Sequence, residues 1–329
     1  MINILKEKTI LITGGTGSFG QSFVEYLLQC SEAKKIIIFS RDEFKQSQMN
    51  ARLQDKRLRF FLGDVRDAAR LRRAFNGVDI VIHAAALKQV PTLEYNPFEA
   101  VKTNILGSQN VIEAAIDQGV EKVVLISTDK AVQPINLYGS SKLCAEKLFV
   151  SGNSYTGGRT KFSCVRYGNV LGSRGSIVEI LLKNRNLPAV DLTDERMTRF
   201  WLTLEQSCEL VLFALANMVG GEIFIPKVPS MKLVDLLSAL APHAEQKIIG
   251  IRPGEKLHEI LLTAEEARHA VSLDKYFVIL PEYNILSEEV FEKYLQLGSR
   301  LPADFSFRSD ANKGWLTEEM LLNLVQLPK

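Results

Sequence analysis

The sequence predicts an α/β fold in which helices cover both faces of a doubly wound parallel sheet. Through the first half of the chain, short apolar runs rich in β-branched residues alternate with segments of helical periodicity, as in repeated strand–helix units. A glycine-rich turn joins the first of these runs to the first helix. The 329 residues are 46% apolar, which is enough for one large domain or two unequal ones.

The bulk composition argues against several functional classes. A formal charge of +2 is too small for a nucleic-acid-binding or membrane-surface protein. We see no apolar run of about 20 residues and no signal-peptide core, so we expect a cytoplasmic protein without membrane insertion. The four cysteines are scattered, which is typical of reduced thiols, and the four histidines lack metal-ligand spacing, so we expect no metal site.

The first predicted strand, Thr9–Thr13, runs directly into a Gly-x-x-Gly-x-x-Gly turn and then into a helix over Gln21–Gln29. Glycines at these positions permit the tight turn and let the backbone approach a pyrophosphate, whose charge suits the N–H groups of a helix start. The turn therefore predicts a dinucleotide site. The turn residues assigned to it are Gly14, Thr16, Gly17, Ser18, Phe19 and Gly20.

The second predicted strand, Lys35–Phe39, should end beside the adenosine ribose of such a dinucleotide. Arg41 follows it and can fork onto a 2′-phosphate, which favours NADP. Asp42 suits a free 2′-hydroxyl and keeps NAD open. We assign Ser40, Arg41, Asp42 and Lys45 to the cofactor, with a solvated charge cluster as the alternative.

Two further strands complete the first half of the sheet. Leu58–Gly63 is followed by Asp64 and Val65, where an acid can accept a hydrogen bond from the adenine amino group, and Asp67 is a plausible N-cap. Asp79–His83 is followed by small residues that let a cofactor lie close to the sheet. These are Ala84, Ala85 and Ala86.

Two polar residues near the fourth strand each have two alternative roles. Lys88 can face a substrate phosphate or the nicotinamide ribose. A long helix over about Pro97–Gln118 carries Asn104, which we assign to the cofactor site as a brace for a strand end. A surface position is the alternative for Asn104.

The strongest chemical signal follows the fifth strand, Lys122–Ser127. Thr128, Asp129 and Lys130 come directly after it, at the sheet edge where reacting groups gather in this fold. Tyr138 and Lys142 are four residues apart in a helix over Leu137–Val150 and share one face. The lysine ammonium should lower the tyrosine pKa from about 10 toward neutrality, which makes a base for an alcohol proton. Alone, such a pair is more often an exposed helix face.

After a sixth strand, Lys161–Arg166, the chain becomes loop-rich and basic, and Gly221–Pro226 can rejoin the sheet. Arginines in separated loops suit a diphosphate, because a guanidinium binds phosphate oxygens bidentately. We predict a cofactor domain of residues 1–168 plus about 195–228, and a smaller substrate domain of about 169–194 and 229–329. A final helix begins after Thr317. The residues assigned to substrate are Lys88, Asn169, Arg174, Thr198, Arg199, Arg252 and Glu255.

With the glycine turn and the tyrosine–lysine pair in place, the chain resembles the extended short-chain dehydrogenase/reductases with a Rossmann sheet. It is similar, more narrowly, to the nucleotide-sugar 4,6-dehydratases, and above all to the branch that inverts C5 of UDP-N-acetylglucosamine and starts pseudaminic acid synthesis. The stretches that carry the resemblance are Thr13–Gly20, Ser40–Glu43, His83–Lys88, Ser127–Lys130, Pro134–Gly139, Val165–Val170, Met197–Phe200 and Ile251–Glu259.

The resemblance implies a UDP-sugar substrate, NADP, a homo-oligomer and a set of catalytic roles. Tyr138, assisted by Lys142 and Thr128, takes the C4 hydroxyl proton, Lys130 takes the C5 proton, and Asp129 protonates the departing C6 hydroxyl. Retaining dehydratases carry glutamate where this chain has Lys130. Its amine must be uncharged to act, and lowering its pKa to near 7.5 costs roughly 4 kcal/mol. Glu179 departs from the branch pattern.

Other functions remain open at this point. A 4-epimerase of the same fold uses the tyrosine–lysine pair without a base at position 130. A non-catalytic, NADP-binding regulatory protein needs neither, and a simple ketone reductase consumes its cofactor.

Overall fold

The computed structural model describes residues 2–184, 187–281 and 288–325. Its main sheet has ten strands in the order β16-β14-β15-β10-β6-β5-β4-β1-β2-β3. The strands of the chain are β1 Thr9–Thr13, β2 Lys35–Ser40, β3 Leu58–Leu62, β4 Ile80–His83, β5 Lys122–Thr128, β6 Lys161–Tyr167, β7 Asn169–Val170, β8 Ala189–Leu192, β9 Thr198–Leu202, β10 Ile223–Pro226, β11 Ser230–Lys232, β12 Glu245–Ile248, β13 Ile260–Leu262, β14 Ala270–Ser272, β15 Tyr276–Ile279, β16 Ser299–Arg300 and β17 Phe307–Arg308.

Seven neighbouring strands of the main sheet, from β3 to β10, run parallel, which confirms the predicted doubly wound sheet. The chain order reverses between β1 and β4, and the carboxyl ends of these strands flank a crevice where ligands bind in such sheets. Strand β10 pairs with β6, so the segment after the sixth strand does rejoin the sheet. Strands β15, β14 and β16 extend it in antiparallel fashion.

Helices cover the sheet and supply the second set of elements. The 3₁₀ turns are Ile2–Leu5, Asp129–Ala131 and Asn153–Tyr155. The α-helices are α1 Ser18–Cys30, α2 Glu43–Leu53, α3 Ala68–Phe75, α4 Val90–Tyr95, α5 Pro97–Ala100, α6 Gly107–Gln118, α7 Leu137–Gly152, α8 Ile177–Lys183, α9 Leu204–Asn217, α10 Leu233–Leu240, α11 Ala264–Ala267, α12 Glu288–Leu297 and α13 Glu318–Leu324.

Several local expectations hold, and two need correction. Asp67 and Thr317 accept hydrogen bonds from backbone N–H groups of α3 and α13, as predicted for N-caps. The first helix begins at Ser18, three residues before the predicted start. The long helix predicted over 97–118 is interrupted by a π-helical segment, Val101–Leu106, which shifts the face on which later side chains lie.

A second apolar cluster lies apart from the core of the main sheet. It gathers side chains of α8, α10 and α13 around Trp201 and Met231. The predicted division into a cofactor domain and a substrate domain stays a prediction, although β14–β16 belong to the main sheet. Residues 185–186, 282–287 and 326–329 of the predicted smaller domain lie outside the described residues. Within the described residues, no helix combines the length and apolar character that crossing a membrane requires.

Candidate active site

A cavity of about 680 Å³ opens at the carboxyl ends of β1 to β4, where the sequence predicts the dinucleotide. Twelve of the residues assigned to the cofactor line it. They are Gly14, Thr16, Gly17, Ser40, Arg41, Asp42, Lys45, Asp64, Val65, Ala84, Ala85 and Ala86. Phe39, Gly63, Thr103 and Arg174 complete the lining.

The glycine turn has the shape that a pyrophosphate requires. Gly14 has φ +66°, and a Cβ there would lie 2.8 Å from the Ala85 nitrogen. A Cβ on Gly20 would lie 2.6 Å from the Gly14 oxygen, so the helix packs directly on the turn. Gly17 precedes α1, whose first N–H groups donate to no capping side chain within the described part of the chain. These donors fit a dinucleotide phosphate, which supports a nicotinamide cofactor in this cavity.

The tip of β2 contains a weakly paired cation. Arg41 is about half exposed, and its Nη1 lies 3.6 Å from Asp64 Oδ2. Asp64 itself pairs with Arg66 at 2.7 Å. The Asp42 carboxylate caps α2 by accepting from the Lys45 N–H, and it also pairs with Lys45 Nζ at 2.7 Å. Asp42 is therefore largely committed to its own helix, whereas Arg41 remains available to a ligand.

Several residues assigned to the cofactor lie outside the lining that the described residues form. They are Ser18, Phe19, Gly20, Lys88, Asn104, Tyr138 and Lys142. Asn104 is buried and acts as the predicted brace, so the alternative of a surface position is wrong, while a contact with the cofactor stays a prediction. It bonds both backbone groups of Leu87 and the Ser141 hydroxyl at 2.8 to 2.9 Å, so it ties the segment after β4 to α7.

Arg174 also differs from its assignment. It was assigned to substrate, but it lines the cofactor cavity, and its backbone N–H donates to Ser18 Oγ at 2.9 Å. Glu179, the residue that departs from the branch pattern, accepts from the Gly175 N–H at 2.6 Å. The glutamate thus shapes the loop that carries Arg174 over the start of α1.

The predicted catalytic residues do come together. Thr128 ends β5 and donates to Asp129 Oδ1 at 2.9 Å. A Cβ on Gly139 would lie 2.1 Å from the Lys130 oxygen, so α7 packs closely against the turn that follows β5. This contact brings Tyr138 to Thr128, which is its hydrogen-bonding partner. Tyr138 and Lys142 lie on α7 as predicted.

The protonation behaviour of Tyr138 differs from the prediction. Burial raises the pKa of Tyr138 to about 12, although the Lys130 ammonium and the Thr128 hydrogen bond act to lower it. Burial also lowers the pKa of Lys142 to about 8, against the effect of Glu146. The expected lowering of the Tyr138 pKa by Lys142 is therefore wrong here, because desolvation dominates both groups and the cation that acts on Tyr138 is Lys130.

Lys130 departs further from its expected state. Its Nζ lies 2.9 Å from Asp129 Oδ1 and 3.3 Å from Glu259 Oε1, and it donates to Asn169 Oδ1 at 3.4 Å. Burial favours the neutral amine, but the two carboxylates outweigh it and raise the pKa of Lys130. The resting pair therefore carries an ammonium, and the uncharged amine that the predicted role of Lys130 requires has to form within the pair. Burial raises the pKa of Asp129, as its predicted role as an acid requires.

Charged groups from the second half of the chain surround Lys130. Arg199 is buried, and its Nη2 lies 3.4 Å from Glu255 Oε1 while its Nε lies 3.8 Å from Glu259 Oε1. Lys256 Nζ lies 3.9 Å from Glu259 Oε2. Within the described residues, three buried carboxylate oxygens lack a hydrogen-bond partner. They are Asp129 Oδ2, Glu255 Oε2 and Glu259 Oε2.

Apart from Arg174, the residues assigned to substrate lie in four different settings. Asn169, Arg199 and Glu255 gather with Lys130, as described. Thr198 is buried and hydrogen-bonds His258 and Ser309, so its hydroxyl holds the fold together instead of facing a ligand. Arg252 is 59% exposed and lies 4.0 Å from Asp191, apart from the cluster. Lys88 is exposed, and the partial desolvation of its amine lowers its pKa against the effect of Glu179.

Sequence reasoning missed Glu259 and Lys256. Both lie in the Ile251–Glu259 stretch, from which only Arg252 and Glu255 were assigned a role. Their proximity to Lys130 depends on contacts more than 120 residues apart in the chain. The signal in the sequence was that two charged residues, Lys256 and Glu259, lie within four residues of the start of an apolar strand.

Comparison with known proteins agrees with this site. A family model described as polysaccharide biosynthesis protein matches residues 10–281. A Campylobacter jejuni protein named UDP-N-acetylglucosamine 4,6-dehydratase (inverting) is 48% identical over 327 residues, which is 97% of each chain. A Rickettsia felis protein named UDP-glucose 4-epimerase is 40% identical over 331 residues, covering 97% of this chain and 96% of that protein.

Solved structures give the same picture. Pen from Bacillus thuringiensis superposes with a TM-score of 0.88 at 38% identity and covers 98% of each chain. The Streptomyces venezuelae dTDP-glucose 4,6-dehydratase DesIV, with NAD bound, has a TM-score of 0.68 at 24% identity, covering 76% of this chain and 86% of that one. At 24% identity, the similarity to DesIV shows only that the two chains share a fold. The chain, with its family model spanning residues 10–281, belongs to the polysaccharide biosynthesis protein family.

Proposed function

We propose that the protein is a C5-inverting UDP-N-acetylglucosamine 4,6-dehydratase. The observation that carries the proposal is the hydrogen-bonded Asp129–Lys130 pair, 2.9 Å apart, beside Tyr138 and Thr128. Elimination of water needs an acid and a base close together, and a 4-epimerase needs neither at these positions. The 48% identity to the Campylobacter protein of that name supports the same choice. The epimerase remains the second candidate because of the Rickettsia relative.

The cofactor proposed for the cavity is NADP, which when bound accepts a hydride from the sugar and later returns it. Arg41 supports NADP over NAD, because it is a half-exposed cation whose one ionic partner among the described residues lies 3.6 Å away. Lys45 and Arg174 line the same cavity and add positive charge beside Arg41. Asp42, the residue that would favour NAD, is occupied by Lys45.

The first proton transfer falls to Tyr138. Tyr138 acts as its phenolate, which forms when its own proton is released to water. The phenolate takes the C4 hydroxyl proton of the sugar, and Thr128 hydrogen-bonds the C4 oxygen. The Lys130 ammonium favours the phenolate of Tyr138 and so assists this step. Lys142, buried on the same helix, supplies a second cation close to the reacting groups.

The elimination step uses Asp129 and Lys130 as a coupled pair. Transfer of one proton from Lys130 Nζ to Asp129 Oδ1 turns the ion pair into a neutral amine and a carboxylic acid. Lys130 then takes the C5 proton and becomes an ammonium. Asp129 gives its proton to the C6 hydroxyl, which leaves as water while a C5–C6 double bond forms. The resting ion pair is restored, and a proton that later reaches C5 from the opposite face inverts that centre.

Incubation of the pure protein with UDP-N-acetylglucosamine tests this proposal. We expect a product whose mass is lower by one water and whose NMR spectrum shows a C4 ketone and an inverted C5. A product of unchanged mass would identify an epimerase. Cofactor binding without turnover would point to a regulatory protein.

The setting of the enzyme is proposed from the resemblance. We place it in the cytoplasm as a homo-oligomer, with residues 1–168 and about 195–228 binding NADP and the rest of the chain binding the UDP-sugar. Light scattering of the pure protein measures the oligomeric mass, and a monomer would contradict the assignment.

A further inference from the structure

Glu259 is held beside the catalytic pair by its own backbone. Its N–H donates to Ser309 Oγ at 2.9 Å, and its carbonyl accepts from the Ser309 N–H at 2.9 Å. The side chain is 3% exposed. Because strand β13 begins at the next residue, the carboxylate has little freedom to turn toward solvent.

The Glu259 carboxylate is a second anion in contact with Lys130, in addition to Asp129, its neighbour in the chain. Oε1 lies 3.3 Å from Lys130 Nζ, which is within ion-pair distance but longer than the 2.9 Å contact with Asp129. Oε2 has no hydrogen bond to any described residue. This geometry is poor for a purely structural ion pair, in which both oxygens are usually satisfied. It suits a fixed negative charge that acts at short range.

We propose that Glu259 is a positioning residue that controls how many protons the Asp129–Lys130 pair holds, and thereby the pH range in which the pair works. The inference rests on the proposed dehydratase function, because only there must the pair act as acid and base together. The pair holds two protons at low pH, one in the working range and none at high pH. A fixed anion nearby favours each protonated form.

Other charged groups facing this site modulate the effect. They are Asp129, Lys130, Tyr138, Arg199, Glu255, Lys256 and Lys88. The positive charges of Arg199 and Lys256 oppose the effect of Glu259 on Lys130, and each of these cations is itself paired with a glutamate, at 3.4 and 3.9 Å. The Glu259 carboxylate is the group at 3.3 Å, so its removal should dominate.

The substitution Glu259→Gln keeps the shape of the side chain and removes its charge. Both limbs of the pH–rate profile should then move to lower pH by about one unit, since an opposite charge within about 4–6 Å shifts a pKa by 1–3 units and partial exposure weakens it. Glu265→Gln, which removes an exposed carboxylate from α11 on the same segment, should leave the profile in place. A Glu259→Gln profile that falls in height without moving would overturn the proposal.

A direct titration separates this inference from the function on which it rests. Lysines are labelled by reductive ¹³C-methylation, and the Lys130 signal is assigned by its loss in Lys130→Arg. The Lys130 pKa read by NMR should fall by about one unit in Glu259→Gln and stay near the native value in Glu259→Asp, which keeps the charge. An unchanged pKa in Glu259→Gln, or an equal fall in Glu259→Asp, would refute the role of Glu259. A shifted pKa in a protein that does not dehydrate the sugar would instead refute the proposed function.

Discussion

Two buried ion clusters connect the main sheet to the segment around β13, and they are built differently. In the first, Arg166 donates all five of its N–H groups at 2.7 to 3.1 Å, to Glu146, Glu266 and the Leu261 carbonyl. In the second, Lys130 meets Asp129 and Glu259 at 2.9 and 3.3 Å. The Arg166 side chain is 1% exposed, whereas that of Lys130 is 27% exposed.

The difference distinguishes a cluster that stabilises the fold from one that is suited to catalysis. Every donor of Arg166 is satisfied, so the first cluster has nothing left to offer a ligand and serves to fix β6, α7 and α11. Within the described part of the chain, the second cluster keeps carboxylate oxygens that have no hydrogen bond, and its lysine side chain is partly exposed. Incomplete pairing of buried charge is costly, and proteins retain it mainly where it serves a reaction.

The largest expected effect is on catalysis through Lys130. Lys130→Met should lower turnover about 10²–10⁴-fold, the usual loss on removing a general base. Stability should change little, because Asp129 can take up a proton and Glu259 keeps Arg199 and Lys256 nearby. Rates and thermal unfolding of the same sample check both parts. A variant that keeps native turnover would remove Lys130 from the mechanism.

Arg166→Met should have the opposite effect to Lys130→Met: it should lower stability and leave turnover nearly unchanged. Removing this cation strands the buried Glu146 and the half-buried Glu266, which should cost about 3–5 kcal/mol in the free energy of unfolding. Denaturant unfolding measures that loss. Turnover per folded molecule should stay close to native, and a stable but inactive Arg166→Met protein would erase the distinction between the clusters.

The same criterion of incomplete pairing applies to Arg41. Arg41→Ala should weaken NADP binding about 10- to 100-fold, the loss expected for a charged hydrogen bond, and leave NAD binding nearly unchanged. Calorimetric titration with each dinucleotide gives the two affinities. Equal losses for NADP and NAD would contradict a contact with the 2′-phosphate.

The smallest effect is expected at an exposed pair of good geometry. Arg72 Nε lies 2.7 Å from Asp117, but both side chains are nearly half exposed. Arg72→Ala should change the free energy of unfolding by less than about 1 kcal/mol and leave turnover intact. A loss comparable to that of Arg166→Met would show that the contribution of an ion pair to the free energy of unfolding depends on its distance. Burial and complete hydrogen bonding would then not be the deciding factors.

The sequence was sufficient for features that depend on local spacing. The glycine turn, the strands before Gly14 and Thr128, and the tyrosine and lysine on one face of α7 all depend on residues close in the chain. The cofactor cavity follows, because parallel strands bring such turns to one edge of the sheet.

What the sequence could not supply was the balance of burial and charge across distant segments. The raised pKa of Lys130 depends on Asp129, its neighbour in the chain, and on Glu259, which is brought there by β13 and its pairing with β17. Arg174 and Arg252 are similar in sequence as loop arginines, yet one lines the cofactor cavity and the other faces solvent. The hydrogen bonds of Asn104 to Leu87 and Ser141 depend on tertiary packing, so the sequence could not identify these partners.

The central claim, that Lys130 exchanges a proton with the sugar carbon next to the transient ketone, is tested most directly by solvent labelling. UDP-N-acetylglucosamine is converted in deuterated water, and the product is examined by ¹H NMR. We expect loss of the H5 signal through deuterium incorporation, together with the coupling pattern of the inverted centre. A dehydrated product that retains its original hydrogen at C5 would contradict it.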